Sequence, residues 1–318
     1  MSSSNIPRVK PAALRAGDTI GVVAPASHVK RAELEAGCEG LRRAGYRPFY
    51  FDSILDQDLY FAGSVQRRVQ ELEAMFVRED VRAIVCARGG YGANYLLGAL
   101  DLEKIKAHPK IFVGYSDVTA LLTYFSDAAG LVTFHGPMVA KDWAHEGGVD
   151  AASWQAALAG TAAWDVNLDA ASGVAGLVEG AAEGVLYGGC LSILVASLGT
   201  PYEIQTAGTI LFLEDVAEKP YRIDRMLMQL KLAGKLDDVR GIVFGEMCDC
   251  RQSADQNDTL PEVVRRIVGE LGVPVACGVR SGHVTAGNIT LPIGVRCELT
   301  VRSGQVRLKI LEAAVTAA

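Results

Sequence analysis

The chain has 318 residues, of which 50% are apolar and 21% are charged, and its formal net charge is −6. This length exceeds the size at which a single hydrophobic core stops growing, so two domains are expected. The negative charge argues against a nucleic-acid partner, which would require a basic face. No apolar run is long enough to span a membrane, and residues 1–7 lack the pattern of a secretion signal, so a cytoplasmic protein without a membrane partner is expected.

The cysteines are scattered along the chain, and only Cys248 and Cys250 lie close together in the sequence. Their spacing does not suit a zinc site, and no second pair supplies the remaining ligands. The composition therefore predicts no bound metal, and reduced thiols fit a cytosolic setting.

Strand-like and helix-like segments alternate over about the first 140 residues. Short apolar runs predict strands at residues 19–24, 49–51, 83–86 and 111–113. Between them, residues 33–43 are helical in composition, and Ser64 precedes apolar residues that recur at helical spacing. This alternation predicts an α/β fold whose parallel sheet carries helices on both faces and binds ligands at the carboxyl ends of its strands.

The second half of the chain follows a different pattern. From about residue 141 to residue 183 the chain is rich in alanine and glycine, which predicts connecting structure. Beyond it, the pattern predicts a helix over 191–198, a strand over 210–213, an amphipathic helix that ends near Gly234, and strands within 289–311. We therefore expect an N-terminal domain over residues 1–145, a linker over 146–182 and a C-terminal domain over 183–318.

The sequence Gly-Tyr-Ser-Asp at residues 114–117 lies between an apolar run and a helix-like segment. A serine at such a turn can present its hydroxyl above the strand edge, as in a nucleophile elbow, although the usual Gly-x-Ser-x-Gly pattern is absent. The backbone N–H of Asp117 then lies at a helix N-terminus, where negative charge is favoured, so it is a candidate oxyanion donor. The alternative is that Ser116 only caps the helix.

Gly89 and Gly90 follow the third predicted strand and allow close backbone approach to a ligand. Either glycine can supply a second oxyanion N–H. Arg88 beside them can bind a substrate carboxylate with both nitrogens or form an ordinary ion pair. Neither a dinucleotide-binding fingerprint nor a phosphate-binding loop is present in the sequence, so no nucleotide cofactor is expected.

A serine nucleophile needs a base, and the base needs an orienting group. Among the five histidines, His283 lies in a loop of small residues and His135 ends a predicted strand, so both are candidates. Glu214 is the candidate orienting acid, because it follows four apolar residues and a carboxylate there is costly unless it is paired or functional. The alternative of a helix cap or an ion pair suits Asp215 and Glu218 better, because they lie nearer to the next helix.

Six short motifs together resemble those of a known family. They are Ala-Arg-Gly-Gly-Tyr-Gly at 87–92, Gly-Tyr-Ser-Asp at 114–117, Phe-His-Gly-Pro-Met at 134–138, Tyr-Gly-Gly at 187–189, Leu-Glu-Asp-Val at 213–216 and Gly-His at 282–283. In this order they resemble the LD-carboxypeptidases, or muramoyltetrapeptide carboxypeptidases, over about residues 17–306.

The resemblance assigns the nucleophile to Ser116, the orienting acid to Glu214 and the base to His283. It implies a Rossmann-like N-terminal domain that carries the serine, a β-rich C-terminal domain that carries the other two residues, an active site in the cleft between them, and a homodimer. Arg88 and Tyr115 are then predicted to bind the substrate, and no cofactor is required.

Known members of this family release the terminal D-alanine from the L-centre of cytoplasmic murein tetrapeptides during cell-wall recycling, and the same activity is expected here. One departure is Cys190, where many relatives carry asparagine. Microcin-immunity peptidases, which hydrolyse aminoacyl-nucleotide analogues with the same triad, are an alternative. It is disfavoured because no long insertion between Glu214 and His283 adds an aromatic clamp. A non-catalytic protein that binds murein peptides is a second alternative, against which the complete set of serine, glutamate and histidine argues.

Overall fold

The computed structural model describes residues 7–160, 162–168, 173–252 and 259–317. The described chain forms two compact units. The first comprises the described residues within Met1–Thr161, Ala286–Gly294 and Ala313–Ala318, and the second those within Ala162–Thr285 and Val295–Glu312. The predicted fold class, an α/β region with a parallel sheet followed by a second sheet domain, is confirmed. The predicted domain boundaries stay a prediction.

The strands of the described chain are β1 (Thr19–Val23), β2 (Arg47–Phe49), β3 (Val81–Cys86), β4 (Ile111–Gly114), β5 (Thr133–His135), β6 (Trp164–Asp165), β7 (Ala175–Val178), β8 (Gly180–Cys190), β9 (Thr209–Glu214), β10 (Gly241–Gly245), β11 (Val275–Val279), β12 (Leu291–Ile293), β13 (Arg296–Arg302) and β14 (Gln305–Ile310). Its α-helices are α1 (Arg31–Arg43), α2 (Val65–Val77), α3 (Leu102–Ala107), α4 (Thr119–Ala129), α5 (Ala151–Leu158), α6 (Leu191–Ala196), α7 (Pro220–Leu232) and α8 (Leu260–Val268). None of the helices within the described ranges is long and apolar enough to cross a membrane.

The sheet of the first unit has the strand order β12-β5-β4-β3-β1-β2. Strands β1 to β5 run parallel, and β12 adds an antiparallel edge to β5. The order 2-1-3-4-5 is a doubly wound arrangement whose switch point lies between β1 and β3, where ligands bind beyond the carboxyl ends of the strands. The loop after β3 therefore starts at the switch point, and the loop after β4 lies next to it.

Local sequence signals account for several boundaries in the first unit. Ser64 caps α2 as predicted, because its Oγ accepts a hydrogen bond of 3.2 Å from the Arg67 backbone N–H. Strand β2 begins two residues earlier than predicted and pairs with β1 from Arg47. The reason is that Gly45, with φ of 89°, ends the preceding helix, so the chain is extended from Arg47, and the chain then enters a 3-10 helix at Asp52–Leu55.

The sheet of the second unit has the order β6-β14-β13-β8-β9-β10-β11-β7. Its centre, β8 to β11, is parallel, and the flanking strands are antiparallel. Every residue of β9 is buried, including Glu214 at its end. The buried carboxylate of Glu214 thus lies at the carboxyl edge of this sheet, where the loops that follow the parallel strands begin.

Candidate active site

Ser116 follows β4 on a sharp turn that leads through a 3-10 helix, Ser116–Val118, into α4. Its φ is 62°, a left-handed conformation that non-glycine residues adopt rarely and at a cost of about 1–3 kcal/mol. Gly114 makes the tight turn possible, because a Cβ on it would lie 2.7 Å from Val118 Cγ1. A half-buried serine on a strained turn between strand and helix is the geometry of a nucleophile elbow.

The capping interpretation of Ser116 finds no support at either helix start. The 3-10 helix and α4 both begin without a backbone N–H that donates a hydrogen bond to a capping side chain. The strained conformation of Ser116 therefore has no compensating cap, which favours a functional reason for it.

Gly89 lies directly against the serine. A Cβ on Gly89 would lie 2.7 Å from Ser116 Cβ, 3.0 Å from Ser116 Oγ and 3.4 Å from the Asp117 backbone nitrogen. Gly90 has a φ of 111°, and a side chain there would collide with Ser27. Only glycines fit at both positions, and they keep backbone close to the hydroxyl. The oxyanion role of the N–H groups of Gly89, Gly90 and Asp117 stays a prediction.

The Asp117 side chain ties this glycine loop to the serine turn. It is 3% exposed, and its Oδ2 accepts a hydrogen bond of 2.7 Å from the Ala93 backbone N–H. Burial raises the pKa of Asp117 to about 6, while hydrogen bonds from Ala93 and Gly92 and the charge of Arg68 act in the opposite direction. Arg68 holds the same loop, because its Nη1 donates to the Gly92 carbonyl at 2.8 Å.

The raised pKa of Asp117 predicts a pH-dependent stability. A carboxyl group whose pKa rises from 3.8 to about 6 on folding stabilises the fold fully below pH 4, and this contribution is lost as the pH rises through 6. Between pH 4.5 and 7.5, wild type should lose on the order of 2 kcal/mol of unfolding free energy relative to Asp117→Asn. Urea unfolding of both proteins across this pH range measures the difference in unfolding free energy. Two curves of unfolding free energy against pH that run parallel would contradict the prediction.

Tyr115, the residue before Ser116, is fully buried. Its ring lies 6.0 Å from that of His135 and 5.6 Å from Lys141 Nζ. His135, the alternative base, is also without exposed surface. Tyr115 is thus part of the packed interior of the first unit, and its direct contact with substrate stays a prediction.

Arg88 is half-buried beside the glycines, and its Nη1 donates to the His28 carbonyl at 3.3 Å. Within the described ranges no carboxylate lies within salt-bridge distance of Arg88. The ordinary ion pair that the sequence allowed is therefore not found among these residues. Binding of a substrate carboxylate by Arg88 stays a prediction.

Glu214 and His283 form a hydrogen-bonded pair in the second unit. Glu214 is fully buried, and its Oε2 accepts hydrogen bonds from His283 Nδ1 at 2.8 Å and from the His283 backbone N–H at 3.1 Å. When Glu214 is ionised its carboxylate only accepts, and the imidazole tautomer that then fits this geometry carries its proton on Nδ1 and keeps the lone pair of Nε2. This is the arrangement of an orienting acid and a general base.

Close packing fixes the position of Glu214. A Cβ on Gly245, in the neighbouring strand β10, would lie 2.6 Å from Glu214 Cβ, so this position requires glycine. The imidazole remains accessible, because the His283 side chain is 14% exposed. A rigid buried acid thus holds a partly exposed base.

The other acids after β9 have structural partners. Asp215 accepts hydrogen bonds from the backbone N–H groups of Ser192 at 2.8 Å and Val216 at 2.9 Å, which fixes the start of α6. Glu218 lies 3.6 Å from Arg222. The structural alternatives considered for Glu214 thus apply to its neighbours.

Cys190 pairs in register with Glu214 across β8 and β9. Its Sγ lies 3.4 Å from Ser192 Oγ. Burial, and to a smaller extent the charge of Glu214, raises the pKa of the thiol well above its usual range. The side chain at this position is therefore a neutral thiol next to the orienting acid.

Among the described residues, no group of three or more histidine, cysteine or acidic side chains is arranged to hold a metal ion.

Sequence reasoning missed three supporting residues. Arg68 and the Asp117 carboxylate lock the glycine loop, and Gly245 makes room for Glu214. The only signal for Arg68 was a charge on the otherwise apolar face of a predicted helix. For Gly245 there was none, because the residue it accommodates lies on another strand.

Comparison with known proteins identifies the family. The chain matches the LD-carboxypeptidase N-terminal domain over residues 20–136 and the LD-carboxypeptidase C-terminal domain over residues 183–299. It is 37% identical over 314 residues to the "Probable murein peptide carboxypeptidase" of Bacillus subtilis, covering 96% of this chain and 95% of that protein.

Two solved structures share the fold. The muramoyltetrapeptide carboxypeptidase from Oxalobacter formigenes matches with a TM-score of 0.79 and 28% identity, covering 93% of this chain and 99% of that one. The structure of MccF in complex with glutamyl sulfamoyl guanosine matches with a TM-score of 0.88 and 25% identity, covering 96% and 99%. In sequence, the microcin C7 self-immunity protein MccF of Escherichia coli is 29% identical over 317 residues, which cover 90% of this chain and 91% of that protein. The sequence matches over almost the whole chain show that this protein belongs to the LD-carboxypeptidase family.

Proposed function

We propose that this protein is a serine-type LD-carboxypeptidase that removes the C-terminal D-alanine from murein tetrapeptides. The observation that carries the proposal is the hydrogen bond of 2.8 Å between Glu214 Oε2 and His283 Nδ1, which leaves Nε2 as a base. The strained Ser116 turn supports it. The names of the similar proteins, a murein peptide carboxypeptidase and a muramoyltetrapeptide carboxypeptidase, point to the same substrate class.

In the proposed acylation step, Ser116 Oγ attacks the carbonyl carbon of the penultimate, L-configured residue. The serine proton passes to His283 Nε2, and the Glu214 carboxylate stabilises the resulting imidazolium. The negative charge on the carbonyl oxygen is held by the N–H groups of Asp117 and of Gly89 or Gly90. One such donor typically lowers the barrier by about 3 kcal/mol.

In the proposed second half of the reaction, the C–N bond breaks and His283 gives its proton to the leaving amine of D-alanine. Water then enters, loses a proton to His283 and attacks the acyl-enzyme carbonyl. Collapse of this intermediate returns the proton to Ser116 Oγ and releases the tripeptide. Arg88 is proposed to bind a substrate carboxylate through its guanidinium group.

Mass spectrometry of purified murein tetrapeptide incubated with the protein tests the proposal. We expect the tripeptide and free D-alanine to appear, because cleavage at the L-D bond removes one residue. Added EDTA should leave the rate unchanged, since the proposed steps use only side chains and backbone. A tetrapeptide that stays intact after long incubation would contradict the proposed activity.

A second candidate function is hydrolysis of aminoacyl-nucleotide analogues. The match to MccF in complex with glutamyl sulfamoyl guanosine favours it. Parallel turnover measurements with murein tetrapeptide and an aminoacyl sulfamoyl nucleotide separate the two, and the proposed function requires that the tetrapeptide has the higher kcat/KM. Labelling of Ser116 by a serine-reactive phosphonate distinguishes both from binding without chemistry.

We further propose that the protein acts in the cytoplasm as a homodimer, as its family resemblance implies. The substrate class supports this location, because the peptides taken up for recycling are hydrolysed inside the cell. Light scattering of the purified protein should give twice the mass of the chain, and a monomer mass would contradict the assembly.

A further inference from the structure

Four aromatic side chains form one cluster in the first unit. Phe61 is at its centre, with its ring centroid 4.4 Å from that of Tyr60, 5.9 Å from that of Tyr91 and 5.3 Å from that of Tyr95. Arg68 fixes the centre, because its guanidinium carbon lies 4.9 Å from the Phe61 centroid. The cluster is therefore built on a rigid base.

The three tyrosines are exposed, in contrast to the phenylalanine core of the same unit. Tyr60 is 51%, Tyr91 43% and Tyr95 50% exposed. The neighbouring Tyr95 hydroxyl raises the pKa of Tyr91. Contiguous exposed rings of this kind mark binding surfaces, whereas single exposed apolar residues are ordinary.

The cluster is attached to the loop that touches the serine. Gly89, which packs on Ser116, lies two residues before Tyr91. The Tyr91 backbone N–H donates to Ser27 Oγ at 3.1 Å, and the Ser27 backbone N–H donates to the Gly89 carbonyl at 3.3 Å. The tyrosines are thus held at a fixed position relative to the proposed nucleophile.

We propose that the cluster of Tyr60, Phe61, Tyr91 and Tyr95 is a sugar subsite, which binds the muramoyl group of a tetrapeptide substrate. This inference rests on the proposed function and deepens it. It predicts that the enzyme prefers tetrapeptides that still carry an N-acylated amino sugar over free tetrapeptides.

The chemistry of the cluster fits a pyranose ring. The faces of aromatic rings are electronegative and attract the C–H face of a sugar, and tyrosine adds a hydroxyl that exchanges hydrogen bonds with polar groups. The charged side chain that packs on the cluster, Arg68, is itself buried, so the exposed surface of the cluster is formed by uncharged rings, which suits a neutral sugar. Three exposed rings whose centroids are 5.7 Å (Tyr60 to Tyr91) and 6.0 Å (Tyr91 to Tyr95) apart match the size of one or two sugar rings.

The length of the substrate is also compatible with the distance from Ser116 to the cluster. In a muramoyltetrapeptide the sugar is attached to the first residue, and the bond to be cleaved follows the third. Three extended residues span roughly 10 Å. Along the protein, two residues from Gly89 to Tyr91 span at most about 7 Å, and the tyrosine side chain extends further. A substrate with its carbonyl at Ser116 can therefore bring its sugar to the cluster.

Binding to the Ser116→Ala protein tests the proposal without turnover. Isothermal titration should give a muramoyltetrapeptide a Kd about 10-fold or more below that of the free tetrapeptide. Tyr60→Ala and Tyr95→Ala should each reduce this ratio about 3–10-fold, the contribution of one aromatic contact. Tyr60→Phe should retain most of the ratio, because the ring face remains.

The matched control is Tyr221→Ala, because Tyr221 on α7 is also 51% exposed but belongs to the second unit. It should leave the ratio unchanged. Equal Kd values for the two ligands, or a ratio that the tyrosine substitutions do not move, would overturn the sugar subsite. If these substitutions instead convert a dimer to a monomer in light scattering and leave the ratio intact, the cluster is a self-association face and the proposal is wrong.

The proposed function is tested by a different measurement, the release of D-alanine by the wild-type protein. Wild-type protein that releases no D-alanine from either ligand contradicts the carboxypeptidase activity, while the binding ratio still decides the sugar subsite. Wild-type turnover with a ratio near one contradicts only the subsite.

Discussion

Replacing Ser116 by alanine is expected to reduce kcat for D-alanine release by about 10⁴-fold or more, because the nucleophilic oxygen is lost. The fold should persist, since alanine is smaller and Gly89 packs against the Cβ that remains. Mass spectrometry of tetrapeptide digests measures the activity, and circular dichroism checks the fold. Substantial activity in this variant would exclude Ser116 as the nucleophile.

Two further substitutions separate the chemistry of Ser116 from its structural effect. Ser64→Ala removes a serine that does cap a helix, so it should cost about 1 kcal/mol of stability and leave kcat unchanged. Ser116→Gly should be as inactive as Ser116→Ala but more stable by about 1 kcal/mol, because glycine adopts a φ of 62° without strain. A less stable glycine variant would show that the turn is not strained.

Replacing Glu214 by glutamine is expected to lower kcat by about 10³–10⁴-fold with a smaller change in KM. The amide is nearly isosteric, but its N–H₂ group cannot accept a hydrogen bond from Nδ1–H, so it favours the wrong tautomer of His283, and the neutral amide no longer stabilises the imidazolium. Steady-state kinetics on the tetrapeptide measures the loss.

The matched control for this prediction is Glu218→Gln. Glu218 lies four residues further along the chain and pairs only loosely with Arg222, at 3.6 Å. The same change of carboxylate to amide there should leave kcat within about twofold, because Glu218 makes no hydrogen bond to His283 and its ion pair with Arg222 is long. Equal losses in both variants would mean that Glu214 acts through the fold rather than through His283.

Local patterns predicted much of the first sheet but not the start of the second. Strands β1, β3 and β4 begin within two residues of their predicted positions, because each is a short apolar run next to a turn. By contrast, β7 lies within a stretch predicted to be connecting structure, and β8 begins in it. The glycines of β8 are required by close neighbours: a Cβ on Gly184 would lie 2.9 Å from the Gly208 carbonyl oxygen. Close packing against neighbouring backbone thus explains why this strand has a glycine-rich composition like that of a linker.

The candidate site likewise contains parts that the sequence predicted and parts that it did not. The turn at Ser116 was predictable, because its glycine, serine and following helix are adjacent in the sequence. The composition left the choice between His283 and His135 open until the family resemblance settled it, since 69 residues separate His283 from Glu214. The sequence assigned a role only to the backbone N–H of Asp117, yet its carboxylate accepts a hydrogen bond from the backbone N–H of Ala93, which lies 24 residues away. Contacts of this range leave no periodic pattern in a sequence.

The left-handed conformation of Ser116 also limits which nucleophiles this fold can evolve. Threonine is β-branched, and its second substituent on Cβ makes a φ of 62° much less favourable. Cysteine has the same branching as serine and fits the same backbone. The backbone at this turn therefore allows cysteine to replace serine as the nucleophile, whereas it disfavours threonine.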